Sequence, residues 1–463
     1  MSTTEFDLIV IGTGPAASTV AKKVAKSGRA VAVVESRGYG GTCALRGCNP
    51  KKVYSNAGDL IDRARGANGK LATFSDPAID WPNLLSFKRE FTEPVRETSE
   101  DSYREQGIKT FHGLAKFSGP DSVQVGEQTL VGQRIFIGTG AIPIPLDIDG
   151  AEHITHSDDF LELDSMPARV AFVGGGYISM EFSHVVARYG SRVSVIDHHP
   201  RPLKHFDPDL VDQLVQRSSE IGIDFIGNSK VKAIGKAPQG AWEVTVGASG
   251  DSESKDSDSK DRRTIIADLV VHGAGRVPNI AELNLDAANI EHGRSGIKVD
   301  ASMRSVSNPR IFVAGDCADT DQPRLTPVAN EQARIVVKAL WDEAASLKPD
   351  YGAVPQVVFT SPCLAAVGMS ELQAREQFGD VDVRYEDTSS WGSVRKTGQT
   401  CAGYKLLIDR KTDRILGAHL LGPAAEETIN LFALAMKFEL KASDVKSTLF
   451  AFPTFASDVR RMV

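Results

Sequence analysis

Two cysteines with four residues between them occur in the segment GGTCALRGCNPKK, residues 40–52. Cys43 and Cys48 lie among glycines, and two lysines follow them closely. Such a pair could ligate a metal, form a structural cross-link, remain as two ordinary thiols, or alternate between dithiol and disulfide. The chain has five cysteines, too few for a disulfide framework. In a reducing compartment a close pair is more often catalytic or metal-binding than structural, so several kinds of chemistry stay open at this point.

The first 35 residues carry a pattern typical of a dinucleotide site. The apolar run DLIVI predicts a strand, STVAKKVAKSG predicts a helix, and AVAVVE predicts a second strand that ends at Glu35. Between them, Gly12, Gly14 and Ala17 have the G-x-G-x-x-G/A spacing, which permits a tight turn, close approach to a pyrophosphate, and close helix packing. Glu35 would accept hydrogen bonds from a ribose diol. The alternative is a tight turn that binds nothing.

The same pattern recurs at residues 169–197. A predicted strand leads to Gly174 and Gly176, Ser179 stands where a third small residue is expected, and the strand after the helix ends at Asp197. Two such sites predict two redox nucleotides that exchange electrons, since one nucleotide needs only one site. The alternative is a second unit kept for its fold alone.

A third feature is the segment IFVAGD, residues 311–316, which precedes a predicted helix in LTPVANEQARIVVKAL. It places Gly315 and Asp316 at a strand end. An acid there can bind ribityl or ribose hydroxyls, and a helix N-terminus can stabilise negative charge on a reduced ring.

Composition narrows the class of protein. The chain has 463 residues, 41% hydrophobic and 24% charged, with a net charge of −7. This length predicts two to four domains. The negative charge argues against a nucleic-acid partner. We expect no membrane span, because no apolar run approaches the roughly 18 residues required. The N-terminal segment has no basic region or cleavage site, so a cytoplasmic protein is expected.

In this order, the motifs resemble those of the pyridine nucleotide-disulfide oxidoreductases, the family of glutathione reductase, dihydrolipoamide dehydrogenase and mercuric reductase. The resemblance covers nearly the whole chain and rests on GTGPAA, GGTCALRGCNPKK, IGTGAIP, GGGYISME, GRVPN, IFVAGD and GAHLLGPAAEE. It implies an α/β fold with two Rossmann-like dinucleotide-binding domains and a C-terminal α+β dimerisation domain. It also implies FAD at the first site, NADH or NADPH at the second, a homodimer, and a small-molecule or protein disulfide as acceptor.

The resemblance further implies which residues bind the two cofactors. Most belong to the glycine turns, the strand-end acids and the cysteine segment, and Arg276 of GRVPN resembles a contact to the nicotinamide nucleotide. The full set is Gly12, Gly14, Ala17, Glu35, Gly41, Thr42, Thr139, Gly140, Gly174, Gly176, Asp197, Arg276, Gly315 and Asp316.

By the same resemblance, Cys43 and Cys48 form a redox disulfide, with Cys48 against the flavin and Cys43 attacking the acceptor. Lys51 and Glu181 match the pair beside the flavin N5 edge, and Tyr177 matches the aromatic residue that gates the nicotinamide pocket.

A disulfide between these cysteines needs a distorted backbone. An ideal helix separates residues i and i+5 by roughly 8 to 9 Å, whereas a disulfide wants Cα atoms about 5.5 to 6 Å apart. The neighbouring glycines supply the freedom to bend. No metal is expected, because zinc needs four ligands and no further Cys or His lies within 60 residues. Two ordinary thiols remain the alternative.

The chain departs from the family pattern near its C-terminus. The family's disulfide reductases carry H-P-T-x-x-E-E there, supplied across the dimer, and the histidine protonates the departing thiolate. This chain reads FPTFASD, with Phe452 at the histidine position, Ser457 at the orienting glutamate, and Asp458 one residue displaced. Phenylalanine carries no proton, which argues against glutathione or lipoamide as substrate.

Coenzyme choice is also ambiguous in the sequence. Asp197 stands where an acid accepts the ribose hydroxyls of NADH and would repel a 2′-phosphate. His198 and Lys204 align with the two arginines that bind that phosphate in glutathione reductase. His198 is mostly neutral near pH 7, and we expect NADH.

Four segments are predicted: an FAD-binding domain at 1–149, with a helical excursion at 55–107, an NAD(P)-binding domain at 150–276, a return to the FAD-binding domain at 277–345, and a dimer-interface domain at 346–463. The polar stretch ASGDSESKDSDSKDRR, residues 248–263, is expected to be an exposed loop. Residues expected to have packing or undetermined roles are Cys317, Cys363, Cys401, His184 and His419.

Three functions are compatible with these residues. The first is an NAD(P)H-dependent FAD enzyme that passes electrons through Cys43 and Cys48 to a disulfide or other thiol-reactive acceptor. The second is an NAD(P)H-dependent reductase of metal ions, quinones or other oxidants. The third is a non-enzymatic redox sensor that reports NAD(P)H status to a protein partner.

Overall fold

The structure is a computed structural model that describes residues 3–249, 262–342 and 347–463. Its strands, in chain order, are β1 (Thr3–Ile11), β2 (Val31–Glu35), β3 (Lys109–His112), β4 (Ala115–Phe117), β5 (Ser122–Val125), β6 (Gln128–Ile137), β7 (Ala141–Pro143), β8 (Arg169–Val173), β9 (Arg192–Ile196), β10 (Ile223–Ile226), β11 (Ser229–Lys236), β12 (Trp242–Ala248), β13 (Arg263–Ala267), β14 (Leu269–His272), β15 (Arg276–Pro278), β16 (His292–Gly293), β17 (Gly296–Lys298), β18 (Ile311–Val313), β19 (Ala318–Asp319), β20 (Gln356–Val358), β21 (Cys363–Gly368), β22 (Val381–Asp387), β23 (Gly403–Asp409) and β24 (Ile415–Gly422).

The α-helices are α1 (Pro15–Ala25), α2 (Gly41–Leu45), α3 (Cys48–Ala67), α4 (Trp81–Arg104), α5 (Ser157–Phe160), α6 (Tyr177–Tyr189), α7 (Pro208–Glu220), α8 (Thr326–Ala339), α9 (Glu371–Phe378), α10 (Gly392–Arg395), α11 (Ala425–Lys437), α12 (Ala442–Ser447) and α13 (Phe455–Met462). Among the described residues, none of these helices combines the length and the apolar character needed to cross a bilayer.

The chain forms two compact units. The first comprises Met1–Lys51, Phe87–Ile144 and Arg276–Tyr351, and the second comprises Lys52–Ser86, Pro145–Gly275 and Gly352–Val463. The division into four domains at 149, 276 and 345 stays a prediction.

The first unit is built on a sheet in the order β3-β2-β1-β6-β5-β4, with β18 also beside β6. Strands β1, β2, β3, β6 and β18 run parallel, so their carboxyl ends lie along one edge. Leu8, Ile9 and Val10 of β1 are fully buried, as expected of a central strand covered on both faces. Helices α1 and α8 pack against each other, and the glycine turn and the 311–316 segment both end at the strand edge.

The second unit contains a parallel sheet in the order β10-β9-β8-β14 and an antiparallel sheet β11-β12-β13. A third sheet, in the order β20-β21-β24-β23-β22, is antiparallel throughout, and α11 packs on β21 and β24. Every residue of β23 and β24 is buried. The expected α/β fold with an α+β C-terminal region is confirmed.

The predicted helical excursion at 55–107 corresponds to α3 and α4. Within the predicted dimer-interface segment, the chain forms β23, β24 and α11. The exposed loop expected at 248–263 lies mostly outside the described residues, at 250–261.

Candidate active site

The first glycine turn joins β1 to α1 and allows two backbone segments to meet. Gly12 has φ +103°, and a Cβ there would lie 2.4 Å from the carbonyl oxygen of Gly138. Gly14 is the N-cap of α1 and has no side-chain cap. Within the described residues, a Cβ on Gly14 would meet nothing within 4 Å. The helix N-terminus therefore faces open space, as a pyrophosphate site requires.

Glu35, at the end of β2, is buried and held in place. Its carboxylate accepts a hydrogen bond from Thr13 Oγ1 at 2.5 Å and from the backbone N–H of Arg37 at 2.9 Å. Ala17 is 1% exposed, which allows α1 to pack closely on the sheet. These contacts place a fixed carboxylate beside the glycine turn, where the sequence predicts ribose recognition.

The segment that carries the cysteines contacts the first glycine turn through its backbone. Gly41 has φ +70°, and a Cβ there would lie 2.5 Å from the Cα of Gly14. Thr42, in the first turn of α2, is exposed, and its carbonyl accepts the N–H of Arg46 at 2.8 Å. The segment that carries the cysteines and the turn that faces the predicted pyrophosphate are thus in backbone contact.

Cys43 and Cys48 lie on two different helices. Helix α2 ends at Leu45, its C-cap Arg46 has φ −145°, and α3 begins at Cys48. The expected distortion between the two cysteines is therefore present as a helix break. Cys43 is half-buried and Cys48 is exposed.

One hydroxyl contacts both sulfurs. Thr326, the first residue of α8, has its Oγ1 3.3 Å from Cys43 Sγ and 3.5 Å from Cys48 Sγ. The sequence predicted only a helix start in this segment, and Thr326 was not among the predicted site residues. A threonine at that start was the available signal.

The two thiols differ sharply in acidity. A hydrogen bond with Cys43, the largest cause, lowers the pKa of Cys48 to about 6, and Thr326 and Lys51 act in the same direction while burial opposes them. The same hydrogen bond, together with burial, raises the pKa of Cys43. Near pH 7 the pair therefore carries a thiolate on Cys48 and a proton on Cys43.

Asp316 lies where the strand-end acid was predicted. Burial raises its pKa, and the nearby Arg324 and Arg276 oppose this increase. Gln332, 1% exposed, accepts the backbone N–H of Gly315 at 2.7 Å. The sequence did not indicate Gln332, which fixes the turn before the acid.

Arg276 belongs to the first unit. Its guanidinium donates to the carbonyl of Ala141, and its own carbonyl accepts Arg324 Nη1 at 2.8 Å. The loop of Thr139 and Gly140 lies nearby, because the N–H of Asn279 donates to Gly140 O at 2.9 Å. The assignment of Arg276 to the nicotinamide nucleotide stays a prediction.

The second glycine turn, in the second unit, has the same construction as the first. Gly174 has φ +94°, and a Cβ there would lie 2.5 Å from the Cα of Ala274. Gly176 is the N-cap of α6 and has no side-chain cap. Asp197 follows β9, with one carboxylate oxygen accepting the N–H of Gly175 and the other accepting that of His199 at 2.7 Å.

Tyr177 and Glu181 lie on α6. Tyr177 is the first residue of the helix and is 47% exposed, and its role as a gate stays a prediction. Glu181 is 1% exposed, and its Oε1 accepts the N–H of Phe359 at 3.0 Å. Lys51 belongs to the first unit. The pairing of Lys51 with Glu181 stays a prediction.

His184 has a structural role in the second unit. Its Nδ1 accepts the N–H of Ser361 at 3.2 Å, and its Nε2 lies 3.0 Å from Ser218 Oγ. Burial holds its pKa well below the usual value. Beside it, the buried Arg188 donates to Asp62 at 2.7 Å. This ion pair was not visible in the sequence, because its members are 126 positions apart.

The remaining cysteines and His419 have the packing roles that were expected. Cys317 is fully buried, with Sγ 3.5 Å from Ile137 O. Burial raises the pKa of Cys363, at the start of β21, and raises that of Cys401 to about 12. His419 lies inside β24, with Nε2 3.0 Å from Met369 O.

The C-terminal segment keeps its local fold despite the altered residues. Thr454 caps α13, and its Oγ1 accepts the N–H of Ser457 at 3.1 Å. Phe452 is 86% exposed within one chain. Ser457 therefore serves the helix start, and neither it nor Phe452 offers an ionisable group.

Comparison with known proteins supports this description. Residues 6–333 match the family model described as pyridine nucleotide-disulphide oxidoreductase, and residues 354–463 match that family's dimerisation domain. A glutathione reductase of Burkholderia cepacia is 31% identical over 458 residues, covering 98% of this chain and 97% of the relative. A mercuric reductase of Staphylococcus aureus is 29% identical, covering 98% and 81%. A structure of the Cu(II) complex of the HOCl-induced flavoprotein disulfide reductase RclA from Escherichia coli superposes with TM-score 0.86 at 26% identity, covering 99% of both chains.

Two glycine-turn folds and a close cysteine pair define an oxidoreductase that moves electron pairs between nucleotides and thiols. The chain belongs to the pyridine nucleotide-disulphide oxidoreductase family. It is an enzyme of a family that depends on FAD and uses pyridine nucleotides, and it carries the family's dimerisation domain.

Proposed function

We propose that the protein takes electrons from NADH, passes them through FAD to the Cys43–Cys48 pair, and delivers them to a thiol-reactive acceptor whose reduction needs no protonated leaving group. The observation that carries this proposal is the cysteine pair itself. Two sulfurs share the Thr326 hydroxyl and have opposite pKa shifts, so one is a thiolate and the other a thiol.

The residues of the first unit fit FAD. Gly14 offers an uncapped helix N-terminus facing open space within the described residues, which suits a pyrophosphate. Glu35, held by two hydrogen bonds, and the buried Asp316 are acids at strand ends, which suit ribose and ribityl hydroxyls. When bound, FAD supplies two-electron transfer between the nicotinamide and the cysteine pair.

The second unit favours NADH over NADPH. Asp197 presents a carboxylate where the 2′-phosphate of NADPH would lie. Burial, the largest cause, lowers the pKa of His198, and His199, Lys230 and Lys204 act in the same direction while Asp197 opposes them. His198 is therefore neutral near pH 7 and contributes no charge to phosphate binding.

Within the cysteine pair, the residues have distinct tasks. Thr326 and Lys51 favour the thiolate of Cys48, the sulfur we assign to the flavin side. Cys43 is the sulfur we assign to the acceptor, and it must lose its proton when it attacks. Closing the disulfide releases two electrons. One external disulfide takes both together with two protons, whereas two Cu(II) ions take one electron each and no proton.

The C-terminal segment favours the second kind of acceptor. In the family, an acid supplied across the dimer protonates the leaving sulfur, and a positioned acid typically contributes 10²–10⁴-fold. Phe452 and Ser457 cannot fill that role. A thiophilic metal ion avoids the step. A structure of the similar RclA is a Cu(II) complex, and a mercuric reductase is among the relatives.

The test is an acceptor series followed by the absorbance of the coenzyme. Reduced coenzyme is supplied as NADH or NADPH, and the acceptors are Cu(II), glutathione disulfide and an aromatic disulfide. We expect NADH with Cu(II) or the aromatic disulfide to turn over fastest. Cys43→Ser should abolish turnover, and Cys401→Ser, which removes a half-buried thiol of the second unit, should leave it unchanged. Full Cu(II) turnover by Cys43→Ser would overturn the assignment. Slow turnover with every acceptor would favour the redox sensor.

A further inference from the structure

A second group of metal-ligating side chains lies outside the cysteine pair. Asp197, His198 and His199 each offer a ligand atom, and the three atoms lie within 4.8 Å of one another. They follow directly on β9 of the second unit. Among the described residues, no other such group of three was found.

The backbone explains why three consecutive side chains converge. The carboxylate of Asp197 accepts the N–H of His199 at 2.7 Å, which folds the chain back on itself after the strand. His198 Nδ1 then lies 3.5 Å from Asp197 Oδ1. The two imidazole rings lie close together, with centroids 3.9 Å apart and planes tilted by 41°.

An independent observation points to a missing ligand. His199 Nε2 is buried and has no hydrogen-bond partner among the described residues. A buried polar atom without a partner destabilises the folded state, so such atoms in native structures usually meet a water or an ion. An imidazole nitrogen in this position is a ready electron-pair donor.

We propose that Asp197, His198 and His199 bind a divalent transition-metal ion, with water completing the coordination. Imidazole nitrogen with one carboxylate suits Cu²⁺, Ni²⁺ or Zn²⁺. Mg²⁺ and Ca²⁺ are disfavoured, because they prefer oxygen ligands and two of the three side chains here are imidazoles. The side chain of His198 is 54% exposed, so its ring can rotate to close the site.

The metal and the coenzyme would compete for one carboxylate. This consequence rests on the proposed function, in which Asp197 accepts the adenosine ribose hydroxyls. A metal on Asp197 withdraws that acceptor, so the ion should raise the KM for NADH and leave kcat unchanged. In a protein that reduces metal ions, excess metal would then limit the supply of electrons.

The experiment measures Ni²⁺ binding by titration calorimetry, on full-length protein in which Cys43→Ser and Cys48→Ser remove the competing thiols. Ni²⁺ prefers imidazole and is not reduced under these conditions. We expect one saturable site per chain, weakened more than about tenfold by His198→Ala with His199→Ala. His205→Ala removes an imidazole from the same loop and should leave binding unchanged. Unaltered binding in the double variant, or equal loss in the control, would overturn the site.

A milder variant guards against misfolding. His199→Gln keeps the size of the side chain and a polar group while replacing the ligand nitrogen, and it should also weaken Ni²⁺ binding while the thermal midpoint stays unchanged. Adding NAD⁺ then separates the two proposals. If Ni²⁺ binds as expected but NAD⁺ does not weaken it, the metal site stands and the assignment of Asp197 to the coenzyme fails.

Discussion

A single hydroxyl group determines much of the chemistry at the cysteine pair. Thr326 Oγ1 lies within 3.5 Å of both sulfurs, and it lowers the pKa of both thiols. The hydrogen bond between the thiols acts in opposite directions on the two groups and so decides which one is ionised. Cys48 has a pKa of about 6, so it is a thiolate above that pH and a thiol below it.

Replacing this hydroxyl should shift the titration of Cys48. A hydrogen bond to a charged group is worth about 1.5–3 kcal/mol, which corresponds to roughly one to two pKa units. We expect Thr326→Val to raise the pKa of Cys48 by about that amount, measured as the pH dependence of its alkylation by iodoacetamide in the reduced protein. Thr326→Ser keeps the hydroxyl and should keep the wild-type profile. An identical profile for the valine variant would show that the hydroxyl does not reach the thiolate.

The turn between β1 and α1 contains two glycines, Gly12 and Gly14, whose positions have different requirements. Gly12 is required by the fold, because its φ is positive and a side chain would overlap Gly138. Gly14 has an ordinary φ of −65° and open space beside it within the described residues. Among the described residues no close neighbour excludes a side chain at Gly14, and the approach of a ligand to the backbone would give a reason for glycine there.

Alanine substitutions should separate these constraints. Gly12→Ala should lower the thermal midpoint strongly, because a left-handed alanine costs roughly 1–2 kcal/mol before the clash is added. When both proteins are compared without FAD, Gly14→Ala should have the wild-type thermal midpoint. The same variant should fail to retain FAD, measured by flavin absorbance. Gly28 also has a positive φ, +82°, but among the described residues nothing lies within 4 Å of a Cβ added there. Gly28→Ala therefore reports the backbone cost without a clash. Normal FAD content in Gly14→Ala would contradict the proposed site.

The buried ion pair between Arg188 and Asp62 should contribute to the stability of the second unit. Removing one member of a buried pair leaves an uncompensated charge and typically costs about 3–5 kcal/mol. We expect Arg188→Met to lower the urea midpoint markedly, even though Arg217 also contacts Asp62 at 2.9 Å. Arg63→Met breaks an exposed pair with Asp59 and should cost at most about 1 kcal/mol. Equal midpoints for both variants would show that burial adds nothing to the pair.

For the whole molecule, the family's dimer brings the C-terminal segment of one chain to the cysteine pair of another. Leu449 and Phe452 are 88% and 86% exposed in a single chain, as expected of residues that a partner covers. We propose this homodimer for the present chain. The side chain delivered across it would be an aromatic ring in place of an acid.

Restoring the acid should change which acceptors work. We expect Phe452→His with Ser457→Glu to raise turnover with glutathione disulfide by tenfold or more, within the 10²–10⁴-fold that a positioned acid supplies. Glutamate at 457 also suits the helix start, since Thr454 with a glutamate three residues later forms a capping box. Stopped-flow reduction by NADH and turnover with Cu(II) should be unaffected. If the wild-type protein already turns over glutathione disulfide as fast as NADH reduces it, another residue must act as the acid.

The sequence predicted the glycine turns, the strand-end acids and the break between Cys43 and Cys48, because these depend on local spacing and on residue type. It did not predict Thr326, Gln332 or the pair of Arg188 with Asp62. Their partners lie between 17 and 283 positions away, and only the folded sheets bring them together. In the sequence His198 aligned with a phosphate-binding arginine although NADH was expected, and the contacts of that side chain with Asp197 and His199 were not predicted.

The contrast between Gly12 and Gly14 has a consequence for how this chain can diverge. A descendant that lost its flavin would remain under selection to fold, so Gly12 would persist while Gly14 drifted to other small residues. A functioning lineage must keep both. Sequencing a library of random variants selected only for folding, and a second selected for flavin retention, should therefore separate these two positions, although a single residue lies between them.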